Sequence, residues 1–141
     1  MAFFVDTNVV VYAATAGPYR EASLRILDAV ARGAEARSST AVLEEAWHVE
    51  LSGRAGDVTG LAANAYALFT PLLAVTDAIV AAALRLRAPA IGANDRIHVA
   101  TCAQNGIETI VTADAAFDTV RGLRRVDPLD GRALGRLLGF G

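Results

Sequence analysis

Short runs of strand-forming residues, most of them apolar, recur along this chain, and segments with helical spacing separate them. Phe3-Phe4-Val5 comes first, Ala36-Arg37-Ser38-Ser39 second, Pro71-Leu72-Leu73-Ala74-Val75 third, Thr109-Ile110-Val111-Thr112 fourth and Leu123 to Val126 fifth. A helix between two strands carries the chain back to its starting edge and so favours parallel pairing. Nearly continuous apolar strand runs must be covered on both faces. The pattern predicts an α/β fold, a three-layer α/β/α sandwich with a central parallel sheet of four or five strands.

The intervening segments carry their own start and stop signals. A helix is expected just after Asp6-Thr7-Asn8. Between Pro18 and Gly33, Ile26, Leu27, Val30 and Ala31 share one helical face with Leu24 at its edge, opposite Arg25, Asp28 and Arg32. Thr40 is the expected N-cap of a helix that turns Val42, Leu43, Ala46, Trp47 and Val49 inward and stops at Gly53. Another runs from Asp57 to near Phe69. Thr76 or Asp77 caps the next, through Leu86, and Asn94-Asp95 opens one that points Ile97, Ala100 and Ala103 inward until Asn105-Gly106.

The chain of 141 residues has the length of one domain, and residues 1–141 are read as a single unit. With 54% hydrophobic and 20% charged residues it has ample core material, which argues against disorder. Its most apolar stretch, Ala78 to Leu84, runs into Arg85, Arg87 and Pro89, well short of the roughly 20 residues of a membrane span. Met1 to Asp6 lacks the pattern of a secretion signal, so a cytoplasmic location without membrane association is expected. A single cysteine, Cys102, cannot form an internal disulfide and reads as a small core residue. The net charge of −2 does not by itself point to nucleic acid. All 13 basic residues are arginine, which excludes lysine-dependent mechanisms and leaves guanidinium forks that suit phosphate.

In a parallel sheet, functional groups gather at the C-terminal ends of the strands. Asp6 ends the first strand, Asp114 follows the fourth by two residues, Asp95 opens the preceding helix and Glu45 lies about a turn into the helix after the second strand. Singly, each has a structural explanation as a cap, a turn residue or a solvated acid. Brought together, four carboxylates repel unless a divalent cation neutralises them, and oxygen ligands select Mg²⁺ or Mn²⁺.

The motifs themselves resemble those of a known family. Phe4-Val5-Asp6-Thr7-Asn8-Val9-Val10-Val11-Tyr12-Ala13 is similar to the opening motif of PIN domains, an apolar strand followed by Asp-Thr-Asn and a second apolar run. Ser39-Thr40-Ala41-Val42-Leu43-Glu44-Glu45 resembles the second motif, with the acid at Glu45 or, one residue earlier, Glu44. Asn94 to Ala103, Gly106 and Thr109 to Phe117 resemble the third and fourth motifs joined. The likeness runs from residue 3 to about residue 127.

The resemblance implies Asp6, Glu45, Asp95 and Asp114 as metal-binding, catalytic acids, Thr112 as a supporting hydroxyl and Asn8 as a support for Asp6. Asp118 is an additional carboxylate near the fourth motif. Arg96 replaces the small residue usual after the third acid and is expected to contact RNA. Arg85, Arg87, Arg121, Arg124 and Arg125 are further candidates for the RNA backbone, against solvated surface charge. The implied activity is Mg²⁺- or Mn²⁺-dependent hydrolysis of RNA phosphodiesters. A PIN domain of this size with no appended module resembles a VapC-type toxin of a bacterial toxin-antitoxin pair, which implies a homodimer and a cognate antitoxin.

His48 and His98, each three residues after one of these acids, could share a helical face with it and touch metal, but are read first as structural histidines, His48 partly buried beside Trp47 and His98 in helix packing. Two rivals stand beside this reading. A haloacid-dehalogenase-like phosphatase would use Asp6, but Asn8 occupies the position of its second Asp and lysine is absent. A non-catalytic PIN-like module that binds RNA or protein is the other.

Overall fold

The computed structural model describes residues 1–139. Among them, four parallel strands, β1 (Phe3–Val5), β2 (Ala36–Arg37), β3 (Thr109–Val111) and β4 (Arg124–Val126), form one sheet in the order β2-β1-β3-β4. The helices are α1 (Thr7–Ala14), α2 (Arg20–Ala31), α3 (Thr40–Ser52), α4 (Leu61–Phe69), α5 (Asp77–Leu84), α6 (Ala93–Gln104) and α7 (Gly131–Leu138), with a 3₁₀ turn at Ala115–Thr119. This is the α/β sandwich the alternating pattern predicts. None of the described helices is long and apolar enough to cross a membrane.

The pleat of β1 divides the interior. Successive strand residues face opposite sides, so Phe3 and Val5 enter a core with Val9, Ile26, Phe69 and Leu134, drawn from α1, α2, α4 and α7. Phe4 enters the other, with Ile110 of β3, Val99 and Cys102 of α6, and Phe117. Helix α3 serves both layers, through Ala46 and Val42. Phe3 and Phe4 are at most 1% exposed, and burial of each contributes roughly 1.5–3 kcal/mol, which ties both helical layers to the central strand.

The chain leaves β1 towards β2 on one side of the sheet and later adds β3 and β4 on the other. Adjacent strands whose connections depart in opposite directions leave a crevice at their C-terminal ends. That switch point lies between β1 and β3, paired as Phe4 with Ile110 and Val5 with Val111. Asp6 and Thr112 follow immediately.

Several local expectations change. The run Pro71–Val75 yields only an isolated bridge between Leu73 and Ser39, because Pro71 has no N–H and Leu73 alone exchanges hydrogen bonds, with Ser38 and Thr40. Ser39, not Thr40, caps α3, accepting from Val42 N at 3.2 Å, while Thr40 Oγ1 accepts from Val75 N. Trp47, expected inward, is 59% exposed, and Ala31 and Ala103 also face outward. Asp57 holds a turn through Thr59, and α4 starts only at Leu61. Helix α7 was not anticipated.

Candidate active site

Asp6 is the residue at which β1 becomes α1, and its side chain is fixed from three directions. Oδ1 accepts from Thr7 N at 2.7 Å, which caps the helix, and Oδ2 accepts from Thr112 Oγ1 at 2.8 Å and Asn8 Nδ2 at 3.3 Å. Asn8 Nδ2 also donates to Thr112 Oγ1 at 2.8 Å, and Asn8 Oδ1 accepts from Ala113 N. Thr112 has a single hydroxyl proton, which goes to Asp6, and its lone pairs take Asn8 and the N–H of Asp114. The network therefore joins the ends of β1 and β3. Asp114 Oδ1 in turn accepts from Ala116 N and starts the 3₁₀ turn.

Glu45 comes in from α3. Its Oε1 accepts from Thr7 Oγ1 at 3.1 Å and lies 2.7 Å from Nε2 of His98. Glu44 is exposed, so the helical phase set by the Ser39 cap turns Glu45, and not its neighbour, towards Asp6. Asp95 sits in the first turn of α6, half-buried, with Gly92 rather than Asn94 or Asp95 as the cap.

Burial and mutual repulsion show in the proton affinities. Burial pushes Asp6 above the usual carboxylate range, against the pull of His98, the Thr112 hydroxyl and the Thr7 N–H, with Glu45 adding to the rise. Asp95 is pushed up to about 6, first by burial and then by the charge of Asp6, with Asp114 and Glu45 contributing and His98 opposing. The four acids, from four separated segments, thus act on one another.

Sequence reasoning placed His98 in helix packing and passed over Thr7. His98 is fully buried, but at the floor of the acid cluster, with Nε2 also 3.6 Å from Asp6 Oδ1. The 2.7 Å approach to Glu45 has hydrogen-bonding length without good alignment, and neither ring nitrogen has a well-directed partner. Burial lowers its pKa, yet the Glu45 contact and the charges of Asp6, Glu45 and Asp95 outweigh it and leave it raised. The signal in the sequence was the three-residue step from Asp95, which puts both on neighbouring positions of one helix. Nothing in the sequence marked Thr7 as a partner of Glu45.

Other residues lie elsewhere. Arg96, expected to face RNA, is turned back: Nε and both terminal nitrogens donate to the carbonyls of Ile91, Leu86 and Ala88 at 3.0–3.1 Å, clamping the segment between α5 and α6. Asp118 is paired with Arg125, whose guanidinium also binds the Thr112 carbonyl and Asp127. His48 is exposed rather than partly buried. Arg121 and Arg124 belong to the opposite edge of the sheet, because β4 enters beside Thr109 and leaves beside Val111. Arg85 and Arg87 are exposed in the segment held by Arg96. Cys102 is buried, its thiol pushed up to about 12, and is unfit as a nucleophile.

Among the described residues, no three His, Cys, Asp or Glu side chains stand close enough, as placed, to share one ion. The donor set nonetheless fits a hard divalent cation. Asp95 is held up near 6 partly by its acidic neighbours, and a positive charge among them would relieve that repulsion.

Known proteins share this fold. The PIN domain family matches residues 3–123. A search of the curated proteins finds no match. Among solved structures, the chain is similar to VapBC2 from Rickettsia felis bound to a DNA fragment from their promoter, with TM-score 0.69 and 19% identity over 90% of this chain and 98% of that one. FitAcB from Neisseria gonorrhoeae gives a TM-score of 0.65 and 21% identity over 91% and 99% of the two chains. VapC20 of Mycobacterium tuberculosis, described as a sarcin-ricin loop cleaving toxin, gives 0.64 and 22% over 82% and 92%. With the family match covering most of a chain whose four parallel strands form one sheet, the chain belongs to the PIN domain family.

Proposed function

We propose that this chain is an endoribonuclease that hydrolyses RNA phosphodiesters with Mg²⁺ or Mn²⁺, and that it acts in the cytoplasm as the toxin of a VapBC-type pair. The observation that carries the reading is the collection of Asp6, Glu45, Asp95 and Asp114 at one crevice, with Asp95 raised to about 6 in part by the other three. These four would hold the ion. A bound divalent ion supplies a water of lowered pKa and neutralises charge developing on the phosphate. Asn8 and Thr112 keep the Asp6 carboxylate in one orientation. Asp6 itself is buried, at 5% exposure.

Arg85 and Arg87 are the cations for the RNA backbone on this reading, because they are exposed at the start of the clamped segment that leads into the helix carrying Asp95. The likeness to a toxin described as cleaving the sarcin-ricin loop makes structured RNA the first substrate to try. An antitoxin partner is suggested by relatives solved as VapBC complexes. Homodimerisation draws support from Trp47, Leu51 and Tyr66, which leave apolar surface 55–75% exposed on α3 and α4. We read the chain as one PIN unit.

The test is cleavage of structured RNA by purified protein with Mg²⁺ or Mn²⁺ and with a chelator, comparing wild type with Asp6→Ala and Asp95→Ala. Cleavage should need the ion, vanish in both variants and leave 5′-phosphate and 3′-hydroxyl ends. Ends with 2′,3′-cyclic phosphate, or cleavage that survives both substitutions, would overturn the reading. A protein that binds RNA without cutting it would be the non-catalytic module.

A further inference from the structure

A fully buried imidazole whose two nitrogens lack well-aligned partners calls for a physical reason. His98 Nε2 lies 2.7 Å from Glu45 Oε1 and 3.6 Å from Asp6 Oδ1. A ring nitrogen and a carboxylate oxygen attract at the shorter distance only if the nitrogen carries the proton. Thr7 Oγ1 donates to the same Oε1 from the other side, 3.1 Å away. A proton on Nε2 and the Thr7 hydroxyl then both act on Oε1 and restrain the carboxylate's rotation. Phe4 packs against the imidazole with ring centroids 5.5 Å apart and holds the ring in place.

We propose that His98 is a positioning residue that, through Nε2–H and together with Thr7, orients Glu45 at the acid cluster. What Glu45 is oriented for rests on the nuclease reading. The contact itself does not. Groups that orient a metal-binding carboxylate typically change metal affinity by about 10–100-fold when removed.

The experiment pairs ring NMR with Mn²⁺ binding. The chain has two histidines, so a His48→Asn variant assigns the remaining ring signals to His98. In chelated protein, long-range ¹H–¹⁵N spectra should show Nε2 protonated, and Glu45→Gln should shift that signal whereas Glu44→Gln should not. An unprotonated Nε2, or a signal blind to Glu45→Gln, overturns the proposal even if every His98 variant fails to fold. In folded variants, judged by thermal melting, His98→Asn should weaken Mn²⁺ binding by about 10–100-fold. His98→Gln should recover most of it, because its amide nitrogen donates from nearly the ε position.

Equal loss in His98→Gln and His98→Asn, or no loss in either, overturns the proposal. RNA cleavage on the same samples separates the two readings. Tight Mn²⁺ binding with the expected His98 pattern but no cleavage would sink the nuclease alone. Cleavage by wild type with Mn²⁺ affinity unmoved in His98→Asn would sink the positioning role alone.

Discussion

Thr112 donates its hydroxyl to Asp6 Oδ2 at 2.8 Å, joining the ends of the two central strands across 106 residues of chain. The bond is fully buried and charge-assisted. It is therefore stronger than a neutral hydrogen bond and more costly to leave unmade. Thr112→Val keeps the shape but takes away Asp6's donor and the acceptor used by Asn8 and Asp114. We expect a loss of about 1–3 kcal/mol in urea unfolding, while Thr112→Ser stays close to wild type. A Thr112→Val protein as stable as wild type would show that the network contributes nothing.

Arg96 anchors the segment between α5 and α6 through three backbone carbonyls. Lysine cannot reproduce that planar fork, so Arg96→Lys should lower the unfolding free energy nearly as far as Arg96→Ala, by about 1–3 kcal/mol. Because the guanidinium is committed to protein carbonyls, Arg96→Lys should leave the salt dependence of RNA binding unchanged. Arg85→Ala and Arg87→Ala should each reduce that slope by about 1. Salt titrations of RNA affinity distinguish the two patterns.

Asp118 holds Arg125, and the guanidinium beside it keeps its carboxyl below the usual range. The acid itself is exposed, so Asp118→Asn should change neither Mn²⁺ affinity nor RNA cleavage. Arg125 is only 14% exposed and reaches Thr112 O as well as Asp127, so Arg125→Ala should destabilise the fold clearly more than Asp118→Asn. Comparing the two unfolding midpoints tests this order. A metal-binding defect in Asp118→Asn would return that residue to the site.

Without an ion, the acid cluster opposes folding at neutral pH. Asp6 and Asp95 are both raised, mainly by burial, so the folded chain binds more protons than the unfolded chain between the two sets of pKa values. The sign follows: chelated protein should melt higher as pH falls from 7 through about 6, the value for Asp95, and lose that gain as pH rises again. Saturating Mn²⁺ should raise the melting temperature at pH 7 and flatten the dependence. A chelated protein whose melting temperature is level or falling over this window contradicts the description of the cluster.

Much of this architecture was legible because it is written in local patterns. Phe3-Phe4-Val5 is apolar throughout and Thr109-Ile110-Val111 is β-branched throughout, so each reads as a strand buried on both faces, and both lie at the middle of the sheet. The spacing of Asp6, Glu45, Asp95 and Asp114 relative to strand and helix starts was likewise readable, since chain order fixes which loops follow which strands. Pro71–Val75 misled, because strand propensity does not supply a neighbour with free hydrogen-bonding groups. Trp47 also misled: its helical position allowed burial, but α3 rests on Val42 and Ala46 instead.

The sequence by itself determined the alternation of strands and helices and the parallel sheet, and it supplied the four acids proposed for the site. Only the tertiary structure decided that Glu45 rather than Glu44 turns to Asp6, that Arg96 folds back onto carbonyls, and that His98 lies beneath the acids. The meeting of Glu45 with Asp6 and His98 depends on how α3 packs against α1 and α6, segments far apart in the chain, and the Arg96 clamp on how the loop after α5 folds back; local propensity specifies neither.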